Sequence, residues 1–530
     1  MALVYVANKK NGVTYVYEST NYWDKEKKQS RSKRVCIGKL DENRNIIPSK
    51  RFCQPPVVAN YVSTSFTKTK RSFCGATYLF DAISEKLGIT ADLKNCFPDC
   101  YKQIQSIAYF LILEDRNPMS RFSKWQRLHL HPYGKDIPSQ RSSELLDSIT
   151  EDSKQHFFRL QGKRRTDNEF WAYDTTSISS YSASLKQVKY GFNKDHDPLP
   201  QINLALLFGE ESNLPFYYRK LAGHISDVTT ITHLLADIGA MGFDKVKLVM
   251  DKGFYSEDNI NNLYRNHLKF LLSSKVSLKY VQKELNLVRD SIQTHINYNA
   301  SYRLYMHSTK IDWNYSQKRP YKGDVLEENR RMYLHLYYSG EKALEQAHRF
   351  NTMLDALEEE LLSGNRRQEH EKQYAKYFNI TSTPARGVKV SIKQNAITKA
   401  EKDYGFFVLV SNEVKEPIHA LEIYRNKDVV EKAFGNLKER LNLRRTAVSS
   451  ETALDGKLFV QFIALIYLSY IKKQIQEQNL LKSHTIQEII DELDVIECFE
   501  QSGQKRRIGE VTKKQLALYE KLGVLPPTTL

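Results

Sequence analysis

The chain has 530 residues, with 79 Lys+Arg against 62 Asp+Glu, and a formal charge of +17. That length holds two to four domains with cores of their own, and the basic excess points to a polyanionic partner, nucleic acid or an anionic membrane surface. The excess is uneven, because residues 1–71 hold 15 Lys+Arg and only 5 Asp+Glu.

Met1-Ala-Leu-Val-Tyr-Val leads straight into charge, without the apolar region of a secretory signal. Six cysteines are scattered, and Cys96 and Cys100 have no second pair at zinc-like spacing. Free thiols in a reducing compartment are expected. A soluble, intracellular protein without a membrane partner is the expectation.

In chain order, residues 1–70 predict a basic β-rich region. Val4-Tyr-Val, Val13-Thr-Tyr-Val-Tyr and Arg34-Val-Cys-Ile are β-prone, and Asn11-Gly12 is a hairpin signal. Lys25 to Arg34 is expected to be a basic loop, with Lys33 and Arg34 among its phosphate-binding residues. Residues 71–165 predict a helical DNA-binding region. Thr77–Leu87 ends at Gly88 and Thr90–Phe97 follows, a helix–Gly–helix layout like a helix-turn-helix. Met119–Leu128 interleaves Arg and Lys with Phe and Trp, as surfaces that contact a nucleic-acid backbone do.

From Phe170 the chain reads strand, strand, strand, helix, strand, helix, strand, ending at Leu272. That order predicts an α/β domain with a mixed sheet. Residues 276–423 break the rhythm with further strands and an acidic helix near Glu341–Leu362, and are expected to form an inserted subdomain. The α/β domain, 166–275 plus 424–475, resumes at Tyr424. The apolar run Leu458–Ile471 is too short to span a bilayer and predicts a buried core helix. Residues 476–530 predict a charged helical tail.

Drawn as one α-helix at about 100° per residue, Tyr424 to Arg440 places Tyr424, Lys427, Glu431 and Lys438 on a single face. Val430, Phe434, Leu437 and Leu441 form an adjoining apolar stripe. Taken alone, this is equally a surface helix with Glu–Lys pairs. Upstream, Asp174 follows the apolar Phe170-Trp-Ala-Tyr, and Asp251 follows Val246-Lys-Leu-Val-Met. A carboxylate just past a buried strand stands at a sheet edge, where ligands bind. Asp174, Asp251 and Glu431 together offer hard oxygen ligands for Mg²⁺ or Mn²⁺. Two such ions promote in-line phosphoryl displacement. Taken singly, Asp174 is a turn residue and Asp251 a cap near the Ser256 helix.

Asp174 in Tyr-Asp-Thr-Thr-Ser, Asp251 in Val-Met-Asp-Lys-Gly-Phe-Tyr and the 424–438 stretch resemble the DDE transposases of bacterial insertion sequences. The pattern is nearest the insertion-sequence-4 superfamily and its insertion-sequence-1634 group. Their signature is Tyr, two residues, Arg, three residues, Glu, six residues, Lys. Tyr424, Glu431 and Lys438 match it, while Lys427 replaces the arginine and Arg425 stands two places earlier. Lysine supplies a point charge and no bidentate clamp. Gly223-His-Ile-Ser-Asp227 and Leu458-Phe-Val-Gln-Phe-Ile-Ala also resemble family segments.

The resemblance implies a ribonuclease-H-like catalytic domain interrupted by a β-rich insertion. Asp174, Asp251 and Glu431 would be the catalytic residues and hold two Mg²⁺ or Mn²⁺ ions. Tyr424, Lys427, Lys438 and Arg425 would hold double-stranded DNA near the cut. The implied reaction is cleavage at terminal inverted repeats followed by strand transfer into target DNA. A homodimer on DNA and a bacterial, cytoplasmic, nucleoid-associated protein go with it. Trp313 and Tyr315 are candidates for stacking on a flipped base. Two alternatives stand: a nuclease or resolvase of the same fold without strand transfer, and a domesticated DNA-binding protein.

Overall fold

A computed structural model describes residues 2–25, 27–49, 69–114, 117–164, 169–182, 184–243, 245–319, 323–383, 387–446, 448, 450–480, 484–501 and 504–528. The chain divides into two units, 1–68 and 69–530. Most of 50–70, the end of the expected basic region, lies outside the described residues.

The first unit is an antiparallel sheet of β1 (Ala2–Ala7), β2 (Thr14–Asp24), β3 (Gln29–Leu40) and β4 (Ile46–Pro48), in that order. Gly12, with φ +66°, makes the turn between β1 and β2. The expected basic loop is instead largely strand. Lys33 pairs with Thr20 and Arg34 with Ser19. Backbone pairing needs no apolar side chain when both faces of a hairpin are wet, which is why low apolar content misled the reading.

The second unit opens with β5 (Lys70–Phe73) and the helices Gly75–Leu87, Ile89–Cys96, Tyr101–Leu113, Ser139–Ser148 and Glu151–Lys163. Gly88, at φ +70°, caps the first helix and launches the second. Much of this pair's surface is used inside the protein. The Phe80 ring lies 5.8 Å from Tyr467, and buried Asp92 accepts hydrogen bonds from Gln161 (2.6 Å) and Arg164 (2.9 Å). Between Met119 and Leu128, Phe122 and Trp125 are buried, with Arg121 and Lys124 outside. The aromatic residues of that segment are core, and the interleaving is an ordinary amphipathic pattern.

The main sheet begins with β6 (Phe170–Ser180), β7 (Gln201–Gly209), β8 (Pro215–Ala222), β9 (Lys247–Met250) and β10 (Lys269–Ser274). The helices Asp227–Met241 and Glu257–Arg265 separate the last three. The insertion adds β11 (Tyr298–Asn299), the long hairpin β12 (Leu304–Arg319) and β13 (Asp324–Tyr338), the small pair β14 (Phe378–Thr383) and β15 (Gly387–Ile392), and β16 (Phe406–Ser411). Downstream, β17 (Arg445–Thr446) pairs with β6. Ten strands result, in the order β11-β12-β13-β16-β10-β9-β6-β7-β8, with β17 off that path. In the first three strands β7 runs antiparallel to both β6 and β8, β9 runs parallel to β6, and β10 parallel to β9. The protein is therefore mixed α/β, with one large sheet flanked by helices.

Much of the insertion continues this sheet, since β16 pairs with β10 and β13 with β16. Its outlying part has a core of its own. Leu354, Leu357 and Leu361 of the Gly340–Leu362 helix pack with Tyr374, Tyr377, Phe378 and Ile397.

The apolar run near 458 belongs to a 27-residue helix, Glu451–Glu477. Its length and composition would suit a membrane, but 89% of its apolar window is buried inside the protein. It is the central core helix. Gly456 lets it approach the Ser139–Ser148 helix, because a Cβ there would stand 2.1 Å from the Leu146 carbonyl oxygen. The tail closes back on the start of this unit. β18 (Glu497–Glu500) pairs with both β5 and β19 (Arg507–Ile508), and Tyr519 donates a 2.9 Å hydrogen bond to the Gly75 carbonyl.

Candidate catalytic site

The site grows from one register. On β6 and β9 Tyr173 lies opposite Met250, so the next residues, Asp174 and Asp251, stand side by side where β9 ends. Both strands approach this point as buried apolar runs, and the carboxylates fall where the parallel neighbour stops. Asp174 does not end its own strand. β6 continues to Ser180 because β7 keeps pairing with it. Asp251 does not cap the Glu257–Arg265 helix either. Ser256 does, accepting from the Asn259 amide at 3.1 Å.

The 424–440 stretch is not one straight helix. Pro417–Asn426 and Asp428–Gly435 meet at Lys427, and Asn436–Arg440 forms a π turn. Pro417 opens the first helix at a position where a missing N–H costs nothing. Buried Ala420, Leu421 and Ile423 hold it in the core, which brings the Tyr424 hydroxyl to 2.7 Å from Asp251 Oδ1 as a donor. Lys427 is buried, with its Nζ 3.9 Å from Asp174 Oδ2 and 3.2 Å from Glu431 Oε1. One ammonium thus lies between an aspartate on the sheet and the exposed glutamate on the helix. Among the described residues no three His, Cys, Asp or Glu side chains converge closely enough to hold a metal ion.

Lys438 ion-pairs with Asp195 at 2.6 Å, and Arg425 lies 4.8 Å from the centre of the Tyr302 ring. The π turn changes the angular spacing that an ideal helix would give Lys438. Trp313 and Tyr315 are buried. Trp313 Nε1 donates to Asn261 Oδ1 (2.9 Å) and the Tyr315 hydroxyl donates to Gln317 Oε1 (2.6 Å). Neither presents an open ring to a flipped base.

Two further residues join the site: Lys194, absent from the sequence reading, and Asp227, which it named only as part of a family-like segment. Lys194 Nζ donates to the Thr175 carbonyl (2.8 Å) and lies 3.1 Å from Asp227 Oδ2 and 3.6 Å from Asp174 Oδ1. Asp227 is the first residue of its helix, with Ser226 as the cap residue, and its carboxylate accepts a hydrogen bond from the Thr175 hydroxyl. The Ser-Asp helix start was the available signal for Asp227. Lys194 sits in a loop without periodicity and carried none. Beside Asp251 and Tyr424 opens a cavity of about 560 Å³ whose lining includes Lys252, Lys275 and Lys342.

Burial sets the electrostatics. It pushes the Asp174 carboxyl above the usual range, against the pull of Lys194, Lys427 and the Thr175 amide. Burial acts on Asp251 in the same sense, but the Tyr424 hydroxyl, the Lys252 amide and the charges of Lys427 and Lys252 outweigh it and hold that carboxyl low. The Tyr424 hydroxyl is pushed up by burial and by Asp251. Asp174 and Asp251 are hard oxygen donors adjacent on one edge, the donor type a divalent cation takes, while the Lys427 ammonium fills the space between Asp174 and Glu431.

A family model described as "Transposase DDE domain" matches residues 165–467. No curated protein sequence matches the chain. Among solved structures, the chain resembles one titled "Cryo-EM structure of piggyBac transposase synaptic complex with hairpin DNA". The identity is 10% and the TM-score 0.33, over 78% of this chain and 70% of that one.

Proposed function

The chain belongs to the transposase DDE-domain family, and from that premise we propose that it is a cut-and-paste DNA transposase of the insertion-sequence-4 superfamily, in its insertion-sequence-1634 group. It cleaves double-stranded DNA at terminal inverted repeats and transfers the freed 3′-hydroxyl into target DNA. It works as a homodimer on DNA, in the bacterial cytoplasm. The strand order β8-β7-β6-β9-β10, with three antiparallel strands and two parallel ones, supports a ribonuclease-H-like catalytic core.

The observation that carries the reading is the placement of Asp174 beside Asp251, with Glu431 joined to Asp174 through Lys427. Two Mg²⁺ or Mn²⁺ ions, held by Asp174, Asp251 and Glu431, would activate the attacking hydroxyl and stabilise the leaving oxygen. Tyr424 orients Asp251 through its hydroxyl. Lys194 and Lys427 hold Asp174 from opposite carboxylate oxygens. Lys427, Lys438 and Arg425 supply positive charge for the phosphate chain, and the Lys252, Lys275 and Lys342 cavity extends that charge beside Asp251.

The test uses duplexes carrying the ends of the DNA segment that encodes the chain. Asp174→Ala, Asp251→Ala and Glu431→Ala should each abolish Mn²⁺-dependent strand cleavage while end binding persists. Cleavage by the triple variant overturns the proposal. Joining of a cleaved 3′ end to a second DNA separates a transposase from a nuclease of the same fold.

A further inference from the structure

The hairpin of the first unit outgrows its own sheet. β1 pairs with β2 only as far as Ser19, and β4 pairs with β3 only from Gly38. Beyond those limits, among the described residues, β2 and β3 pair only with each other. The last five pairs run from Thr20 with Lys33, through Asn21 with Ser32, Tyr22 with Arg31 and Trp23 with Ser30, to Asp24 with Gln29. That ribbon is roughly 15 Å long at the usual rise per residue. Thr20 to Trp23 and Gln29 to Arg34 are exposed along their whole length, Tyr22 at 50% and Trp23 at 62%. A two-stranded ribbon with neither face covered is marginal in water, so it gains from a partner.

Charge and chemistry say which partner. Asp24 to Arg34 contains six Lys or Arg and two acidic residues. Arg31 is partnered by Asp24 at 3.4 Å, while Lys33 and Arg34 form no ion pair among the described residues. Directly paired residues share a face. Thr20, Tyr22, Arg31 and Lys33 therefore line one side, and Asn21, Ser30, Ser32 and Trp23 the other. Hydrogen-bonding groups on both faces suit a slot with a polar wall on each side. A ribbon with its side chains is roughly 10 Å thick. That fits the major groove of B-DNA, about 12 Å wide, and not the minor groove, about 6 Å wide.

We propose that the ribbon Thr20–Asp24/Gln29–Arg34 is a DNA-docking arm that enters the major groove of duplex DNA tip first. Lys33 and Arg34 contact phosphates on opposite walls. The aromatic pair Tyr22 and Trp23 lies close to the tip, against sugar and base edges. This deepens the transposase reading and rests on it, since it assigns a DNA-holding element in the unit that precedes the catalytic one.

The test measures anisotropy of the full chain on a random-sequence duplex, over about 50 to 200 mM salt. Lys33→Ala/Arg34→Ala should weaken binding at least tenfold and lower the salt slope by about 2, at roughly 0.9 per phosphate contact. Trp23→Ala should weaken binding with the slope unchanged. Lys9→Ala/Lys10→Ala, in the β1–β2 turn of the same unit, should change little, and an equal loss there would reduce the effect to net charge and overturn the arm. Unchanged affinity and slope in the ribbon variants also overturn it, as does preference for a single strand over the duplex. Both changed pairs are exposed side chains, and circular dichroism and thermal melting confirm folding. Strand cleavage measured on the duplexes carrying the ends of the encoding DNA segment separates the two claims. Cleavage that persists while the ribbon variants bind normally removes the arm alone, and failure of the wild-type chain to bind any duplex removes both.

Discussion

The Tyr424 hydroxyl donates a 2.7 Å hydrogen bond to Asp251 Oδ1, so the orientation of that carboxylate depends on a helix 173 residues further along the chain. Tyr424→Phe removes the donor and keeps the ring. The loss in stability should be small, about 1 kcal/mol. Cleavage should fall by roughly 10- to 100-fold, as happens when the partner of a metal-holding group is lost. The half-saturating Mn²⁺ concentration should rise with it, and a cleavage assay across Mn²⁺ concentrations with a parallel thermal melt separates the two effects.

The proposed metal ligands Asp174 and Glu431 already share the Lys427 ammonium, at 3.9 Å and 3.2 Å. Lys427→Met preserves much of the buried stem and deletes the charge. Without metal, the variant should lose on the order of 2 kcal/mol, because Asp174 stays buried with one cation fewer. Added Mn²⁺ should then raise its melting temperature by more than it raises that of the wild type. Equal Mn²⁺ shifts would show that the ammonium and the ion do not share a place.

His335 gives an acid-side prediction far from these carboxylates. It is fully buried, with Nε2 3.1 Å from the Val414 carbonyl and Nδ1 3.0 Å from the Ser308 hydroxyl. Burial lowers its pKa to about 4 from 6.5. The unfolded chain therefore binds this proton first. The contribution is fully present above pH 6.5 and is lost as pH falls through about 4, a difference of roughly 3 kcal/mol. His335→Gln should flatten the decline in stability between those pH values, read from urea melts at a series of pH values.

Gly456 tests the core helix. A Cβ would meet the Leu146 backbone at 2.1 Å, and backbone cannot move aside as a flexible side chain can. Gly456→Ala should destabilise the protein by about 1–3 kcal/mol through overpacking. Gly239→Ala is the control, since nothing lies within 4 Å of its added methyl. It should be neutral or stabilise by up to about 1 kcal/mol through helix propensity. Melting temperatures of the two variants decide between close approach and generic glycine loss.

Part of the fold is legible because its causes are local. The runs Phe170-Trp-Ala-Tyr and Leu248-Val-Met are apolar enough to be strands wherever they pack, and Asp174 and Asp251 mark where each meets polar residues. Asn11-Gly12 and Gly88 announce their turns through backbone freedom. The strand from Gln29 to Arg34 reads as loop because it has no apolar pattern to betray it. The aromatic residues of Met119–Leu128 differ in the opposite sense, since Phe122 and Trp125 are core and an amphipathic core segment shares one pattern with a DNA-contact surface. The break at Lys427 and the π turn after Gly435 were invisible, because 3.6-residue periodicity assumes an unbroken helix.

The sequence by itself determined the element order from Phe170 to Ser274, the burial of the apolar run near 458, and the candidacy of Asp174, Asp251 and Glu431. Those follow from hydrophobic periodicity and side-chain chemistry, which act between near neighbours. Only the tertiary structure decided that Tyr173 pairs with Met250, that Lys427 lies between Asp174 and Glu431, and that Lys194 and Asp227 join them. It also decided that the insertion lengthens the main sheet. Strand register and the meeting of charges are set by contacts between distant segments, between Asp174 and Lys427 or between β5 and β18 for instance. Their free energy depends on which surfaces pack together, and no local window of the chain contains that choice.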